Sequence, residues 1–297
     1  TAKGRQYLVK LTNARGNGKS LGPRTPETEA LLAAFQEGKL RADRRLGHIR
    51  ERLEQQARLN RALRMGRLPS LVAAILGAID RSAARDDFWV VGTHALYAYE
   101  ALAGVQIRME LLASGDVDLL YDPRKRLALV ARHLDGGGLL GLLRRVDKTF
   151  APLGARAFRA VNDQGFMVDL VAPLVDARLK TALGFSPEDL QAVEIVGLEW
   201  LVNAPATEAV VLAMDGMPVR VLVPDPRAFA YHKAWIARQA DREPVKKGRD
   251  LAQARLLFSL LKTYLPNYPL DPEAVRYLPL AVIAGAADLV DEADQSG

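Results

Sequence analysis

Two aspartates stand two positions apart in the segment GDVDLLYD, residues 115–122. Successive side chains of a β-strand point to opposite faces, so this spacing predicts that Asp116 and Asp118 share one face, while Val117 and Leu119 occupy the other. Two carboxylates roughly 4 Å apart, in an effective dielectric of about 20, repel each other by about 4 kcal/mol. A stable fold tolerates such a pair when an opposite charge offsets it, and the segment therefore predicts a divalent-cation site.

Two further features support chemistry at this site. An apolar strand at residues 88–91 meets Gly92 and Thr93 and continues into a helix, a turn at which backbone amides can approach a phosphate. Asp169 is a single acid among the apolar residues of GFMVDLVAP. With the aspartate pair it would provide ligands for two Mg²⁺ ions about 3.5 to 4 Å apart, which favours nucleotidyl transfer.

The segments VVGTHALYAYEALAGV, GDVDLL and FMVDL resemble the nucleotidyltransferase superfamily with the DNA polymerase beta-like fold. Its signature is an apolar strand ending in a Gly-Ser or Gly-Gly turn, then Asp-x-Asp, then a later single acid. The segments LGPRTPETEALL, LNRALRMGRLP, RVDKTF, FRAVN and PDPRAFAYHKAWIAR are similar to a bacterial branch of that superfamily, so the resemblance covers most of the chain. HKAWIAR and KKGRDLAQA are more distantly similar to abortive-infection type toxin nucleotidyltransferases.

The resemblance implies a Mg²⁺-dependent attack by an acceptor hydroxyl on the α-phosphate of a nucleoside triphosphate, with Mn²⁺ as an alternative ion. It implies that Asp116 and Asp118 bind both metal ions. It implies that Asp169 binds the catalytic ion and helps to deprotonate the acceptor. The acceptor stays open among RNA, protein hydroxyls and small molecules. The competing interpretation is a non-catalytic nucleic-acid or protein-interaction module that keeps the fold.

The same resemblance implies that Gly92 and Thr93 bind the β and γ phosphates of the nucleotide, and Lys233 is a further nucleotide-binding candidate. A solvated lysine on a helix surface explains Lys233 equally well. Thr93 stands where serine or glycine is usual, and 23 residues separate Gly92 from Asp116. Gln253 stands where the toxin motif often has a second acid, so a catalytic role for the nearby residues Lys246, Arg249 and Asp250 stays open. An ion pair within one helix is the alternative explanation of these three residues.

The pattern predicts an α+β fold, in which a mixed or antiparallel sheet of the nucleotidyltransferase type is flanked by helices. We expect a basic helical region at 1–84, a catalytic core at 85–224 and a C-terminal helical region at 225–297. Three strand pairs are predicted around the turns ASG, NDQG and DGM: 105–112 with 116–122, 156–161 with 166–171, and 208–214 with 218–223. Helices are predicted at 225–239, 244–263 and 272–291.

The N-terminal region combines helix signals with positive charge. Thr25 as N-cap and Pro26 predict a helix start, and Gly38 predicts its stop before a second amphipathic helix. Residues 1–80 contain 16 Lys and Arg against 7 Asp and Glu, although the whole chain has a net charge of only +6. The arginines outside the apolar stripe predict a polyanion such as nucleic acid, and a solvated helix surface explains them equally well: Arg44, Arg45, Arg52, Arg58 and Arg61.

Composition bounds the remaining possibilities. The 297 residues include no cysteine, which excludes disulfides, thiolate zinc sites and cysteine nucleophiles and fits a reducing cytoplasm. The longest apolar stretches fall short of the about 20 residues that a membrane-spanning helix needs, and the first ten residues lack the apolar core of a signal peptide. We expect a soluble cytoplasmic protein with no membrane partner; the oligomeric state is not predicted.

Overall fold

A computed structural model describes residues 6–11, 18–122, 137–174 and 189–296. These residues form ten α-helices and ten β-strands arranged in mixed and antiparallel sheets, so the fold is α+β, as predicted. The chain divides into two compact units, Thr1–Leu59 and Asn60–Gly297. The three regions expected from the sequence remain a prediction.

The first unit contains a hairpin and most of a long helix. Strands β1 (Tyr7–Leu11) and β2 (Gly18–Pro23) pair in antiparallel fashion, and helix α1 spans Pro26–Ala62. The predicted start is confirmed, because α1 begins at Pro26 and the Thr25 hydroxyl accepts a hydrogen bond from the Thr28 amide at 3.4 Å. The predicted stop at Gly38 is wrong. One glycine costs a helix only about 1 kcal/mol, and the helix-favouring residues on both sides of it outweigh that cost.

The second unit is built on a six-stranded sheet with the order β3-β4-β7-β6-β5, in which β8 also pairs with β7. The strands are β3 (Phe88–Val91), β4 (Asp116–Tyr121), β5 (Ala151–Pro152), β6 (Arg159–Val161), β7 (Met167–Pro173) and β8 (Val193–Ile195). β3 runs antiparallel to β4, and β4 runs parallel to β7. A separate hairpin joins β9 (Thr207–Leu212) to β10 (Pro218–Val223). The predicted strand at 88–91 and the hairpins around NDQG and DGM are confirmed.

Strand β4 shows the predicted alternation. Val117 and Leu119 are fully buried, whereas Asp116 and Asp118 on the other face are half-buried. Burying the two apolar side chains fixes which face of the strand the two carboxylates occupy, because a shift of one residue would exchange the faces.

The predicted strand at 105–112 is wrong. Met109–Leu112 forms a helical turn, α4, so no hairpin forms around the ASG turn. Side chains already satisfy the backbone of Ile107, whose amide donates to Glu100 Oε2 at 2.7 Å and whose carbonyl accepts from Arg67 Nη2 at 2.5 Å. This residue therefore has no free backbone group for a strand ladder.

The described residues contain eight further helices. They are α2 (Ser70–Asp80), α3 (Leu96–Ala103), α5 (Gly138–Val146), α6 (Leu198–Asn203), α7 (Pro226–Ala237), α8 (Pro244–Thr263), α9 (Leu280–Ala284) and α10 (Ala287–Ser296). Helices predicted at 225–239 and 244–263 correspond to α7 and α8. The single helix predicted at 272–291 is wrong, because two short helices separated at Gly285 begin only after Pro279. Within the described residues, no helix is long and apolar enough to cross a membrane.

Candidate active site

Three carboxylates meet where β4 and β7 run side by side. The parallel register places Asp118 directly opposite Asp169, and Asp116 lies two positions earlier on the same face of β4. One oxygen atom from each of the three side chains lies within 4.8 Å of the other two. The sequence-based expectation that these acids come within reach of one another is therefore confirmed, although about fifty residues separate Asp118 from Asp169.

The carboxylate cluster makes ionisation of its central member unfavourable. Burial, followed by repulsion from Asp116 and Asp169, raises the pKa of Asp118 from 3.8 to about 6, although the positive charges of Lys233 and Arg159 oppose the change. Asp116 has a local stabilising contact, because Ser114 Oγ lies 2.5 Å from its Oδ1 and donates a hydrogen bond. The site thus holds like charges close together at an energetic cost.

Arg159 is a site residue that the sequence analysis missed. β6 runs antiparallel to β7 with Arg159 opposite Asp169. The guanidinium donates from Nε to Asp169 Oδ1 and from Nη2 to Oδ2, each at 2.6 Å. This bidentate geometry is the strongest form of an arginine–carboxylate contact. The predicted hairpin, with 156–161 paired to 166–171 around NDQG, would place Arg159 opposite Val168. The observed register differs by one residue and places Arg159 opposite Asp169.

The turn after β3 is built against Asp118. Gly92 has a φ of 65°, and a Cβ atom at this position would collide with Asp118 Oδ2. Residues Gly92–Ala95 form a 3₁₀ turn that leads directly into α3. Thr93 is buried, and its hydroxyl lies 3.4 Å from Gln253 Nε2. Glycine is thus required both by the backbone conformation and by the close approach of the carboxylate.

A second charged cluster joins α7 to α8. Lys233 Nζ donates to Asp250 Oδ1 at 2.7 Å, and Arg242 donates to Asp250 Oδ2 from Nη2 at 2.7 Å and from Nε at 2.9 Å. Burial alone would raise the pKa of Asp250, but Lys233 and then Arg242 hold it below its usual value. Burial lowers the pKa of the Lys233 ammonium, and the contact with Asp250 opposes this change.

The intrahelical ion pair considered for α8 is wrong. Asp250 pairs with Lys233 of α7 and with Arg242. Lys246 instead pairs with Glu243 at 3.2 Å. Arg249 reaches the carbonyl of Ala113 at 3.4 Å. Asp250 is therefore a tertiary anchor between helices.

One cavity of about 110 Å³ brings the two clusters together. Gly92 and Asp118 line it from the sheet, while Lys233 and Arg242 line it from the helical side. Buried His232 also lines the cavity, and burial lowers its pKa to about 3, so its imidazole is neutral at physiological pH. The cavity thus presents a carboxylate and two cationic groups to the same space.

A protein-family model described as a nucleotidyltransferase matches residues 70–276, more than half of the chain. The chain belongs to this nucleotidyltransferase family. Searches of curated proteins and of solved structures found no match. Membership supports a transferase enzyme whose substrate is a nucleoside triphosphate, and it confirms the superfamily resemblance. The bacterial branch, the toxin-like relation and the individual site roles remain predictions.

The carboxylate cluster of the nucleotidyltransferase fits a divalent metal ion. Its donors are carboxylate oxygens, the hard ligands that Mg²⁺ prefers, and they converge within 4.8 Å. An ionised carboxylate has about four lone-pair sites, so the two hydrogen bonds from Arg159 leave Asp169 able to bind a cation. A cation at this point would also offset the repulsion that raises the pKa of Asp118. Asp116, Asp118 and Asp169 are thus the residues that would hold it.

Proposed function

We propose that the nucleotidyltransferase moves a nucleoside monophosphate from a nucleoside triphosphate to an acceptor hydroxyl in a Mg²⁺-dependent reaction. The observation that carries the proposal is the convergence of Asp116, Asp118 and Asp169 within 4.8 Å beside the Gly92 turn. Two Mg²⁺ ions held by these carboxylates would activate the attacking hydroxyl and stabilise the charge that develops on the leaving pyrophosphate. Mn²⁺ prefers the same oxygen ligands and is the alternative ion.

Asp169 is the residue that we assign to the acceptor hydroxyl. Its carboxylate accepts the proton that the hydroxyl loses as it attacks phosphorus. Arg159 contacts both oxygens of Asp169 at 2.6 Å, so it holds the carboxylate in one orientation beside Asp118. We assign Arg159 a positioning role, because a planar bidentate contact fixes the rotation of the carboxylate.

The triphosphate is assigned to the Gly92 turn and to the basic residues that line the cavity from its helical side. The backbone amides at Gly92 and Thr93 begin a helical turn and are suited to the β and γ phosphates. Lys233 and Arg242 carry two positive charges against the single negative charge of Asp250. The surplus positive charge lines the cavity and favours an anion, so Arg242 joins Lys233 as a proposed phosphate ligand.

The test uses nucleoside triphosphates labelled at the α or the γ phosphate, incubated with the enzyme, Mg²⁺ and total cell extract. The α label should appear in a macromolecule or metabolite, while the γ label should leave as pyrophosphate. Asp116→Asn should abolish both signals. Asp163→Asn, which removes an exposed carboxylate from the turn between β6 and β7, should leave them unchanged. Transfer of the γ label would instead identify a kinase-type reaction.

The acceptor is identified by treating the labelled product. Ribonuclease-sensitive label identifies RNA, protease-sensitive label identifies a protein hydroxyl, and label that passes a small-pore filter identifies a small molecule. Absence of pyrophosphate release with each of the four nucleoside triphosphates and every extract fraction would contradict the proposal and favour the non-catalytic interaction module.

A further inference from the structure

Helix α1 exposes nearly its whole circumference over most of its length. Between residues 29 and 56, every residue is exposed except Gly38, Gly47 and Leu53, which are half-buried. A long helix normally gains its stability by packing an apolar face against a partner. Among the described residues of its own unit, Thr1–Leu59, this stretch of α1 buries no such face.

The exposed stretch carries a regular apolar pattern. Seven positions follow one another at alternating intervals of three and four residues, and we call them the α1 seam: Leu32, Phe35, Lys39, Ala42, Leu46, Ile49 and Leu53. Phe35 is 68% exposed, Leu46 50% and Ile49 42%. A mean spacing of 3.5 residues keeps a seam facing a second helix that winds around the first, which is the pattern of a coiled coil.

The residues beside the α1 seam are basic. Arg45, Arg50 and Arg52 occupy the positions that flank a coiled-coil interface, and Asp43 is the single acid at these positions between Leu32 and Leu53. Flanking charges select the partner, because opposite charges across the interface attract. We infer that the α1 seam binds an amphipathic helix of a partner protein that has apolar seam residues and acidic flanking residues.

Lys39 sharpens this assignment. It is a single charged residue within an otherwise apolar seam, and a polar residue at one such position sets the register of a coiled coil. The helix that occupies the α1 seam should therefore place an acidic or amide side chain opposite Lys39. This requirement defines the partner's register as well as its charge.

A second copy of the chain fits this surface poorly. Residues 32–53 contain six Lys and Arg against three Asp and Glu, so a pair of copies would bring together two segments of equal positive charge. In a parallel pair, the Lys39 side chains would also face each other inside the seam. A nucleic acid would satisfy the arginines, but its phosphates would leave the apolar seam in water.

The experiment uses synthetic helical peptides and the full chain. The test peptide has leucine at seam positions, glutamate at flanking positions and one glutamate placed to face Lys39. One control peptide has lysine at the flanking positions, and a second has the test composition in shuffled order. In fluorescence anisotropy at 150 mM salt, which is about physiological, the test peptide should bind at least tenfold more tightly than either control.

Matched variants locate the binding surface. Leu46→Asn with Ile49→Asn should weaken binding of the test peptide at least tenfold. Leu40→Asn, which removes an equally exposed leucine outside the α1 seam, should change binding less than twofold. Far-UV circular dichroism checks that all variants keep their helix content.

Four outcomes would overturn the inference. If the shuffled peptide binds as tightly as the test peptide, charge alone causes the attraction. If Leu40→Asn weakens binding as much as the seam variants do, the α1 seam is not the binding surface. Sedimentation velocity showing a dimer that the seam variants dissociate would make a second copy the occupant. Displacement of the test peptide by single-stranded RNA, together with RNA binding that the seam variants leave unchanged, would assign the surface to nucleic acid.

Discussion

Two charged clusters contribute residues to the proposed active-site cavity, and they are built in opposite ways. The carboxylate cluster sets three aspartates against the single guanidinium of Arg159. The basic cluster sets Lys233 and Arg242 against the single carboxylate of Asp250. In each cluster one opposite charge orients the others, and the surplus charge is left for a ligand.

The clusters differ in how much they depend on that ligand. The pKa of Asp118 is raised to about 6, so its negative charge is destabilised by burial and by its neighbours. The pKa of Asp250 is lowered, so its charge is stabilised by Lys233 and Arg242. A cation would therefore stabilise the carboxylate cluster, whereas the basic cluster also serves as a structural anchor. Removing a charge should have opposite effects on stability in the two places.

The largest effect is expected from Asp118→Asn on catalysis. Loss of one proposed metal-binding carboxylate should lower the rate of nucleotide transfer on the order of 10³-fold or more, because stabilisation of the transition state by metal ions is worth several kcal/mol. The measurement is the initial rate with the labelled triphosphate, and Asp163→Asn is the control. A rate within tenfold of the wild type would show that Asp118 is not a metal ligand.

The next effect concerns the basic cluster. Asp250→Leu should lower the free energy of unfolding by about 3 to 5 kcal/mol, because it leaves Lys233 and Arg242 without their shared buried partner. Urea unfolding measures the change, and Asp241→Leu at an exposed neighbouring position is the control. A loss below about 1 kcal/mol, the range of surface ion pairs, would contradict the anchoring role.

The Gly92 turn can be tested by comparing two glycines with the same backbone conformation. Gly92 and Gly104 both have a φ of 65°, but a Cβ at Gly104 has no atom within 4 Å, whereas one at Gly92 collides with Asp118. The positive φ alone should cost alanine about 1 to 2 kcal/mol of stability at either position, and the collision with Asp118 adds to that cost at Gly92. Only Gly92→Ala should also abolish the rise in melting temperature that we expect from adding Mg²⁺ to the wild type. Equal Mg²⁺ responses would show that Gly92 does not shape the carboxylate cluster.

The last expected effect is a pH-dependent gain in stability from Asp118→Asn. Because the pKa of Asp118 is about 6 when folded and has an ordinary value of 3.8, the folded protein binds the proton more tightly, so the wild type loses stability as the pH rises from 3.8 to 6. Above pH 6 that cost is complete. Without metal, the variant should then be more stable by about 1 to 3 kcal/mol.

Urea unfolding in EDTA at several pH values measures this gain. The advantage of Asp118→Asn should shrink as the pH falls through the range between the two pKa values and should disappear below it. Adding Mg²⁺ at high pH should reverse the order, because only the wild type gains the binding energy. An advantage that is independent of pH would show that the charge of Asp118 carries no folding cost.

Local patterns in the sequence determined the parts of the site that depend on a few neighbouring residues. The alternation of β4 placed Asp116 and Asp118 on one face, since successive strand residues point to opposite sides. Pro26 marked the start of α1, and turn residues marked the hairpins of β6 with β7 and of β9 with β10. The helix end predicted at Gly38 was wrong, because the unfavourable helix propensity of one glycine is small beside the summed propensity of a 37-residue helix.

The tertiary structure decided which distant residues face one another. The parallel pairing of β4 with β7 brought Asp169 beside Asp118, and the packing of α7 against α8 gave Asp250 its partner Lys233. The segment at 105–112 left its predicted strand because Glu100 and Arg67 bind the backbone of Ile107. Strand register and helix contact depend on burying many apolar side chains at once, and no single stretch of sequence records that sum.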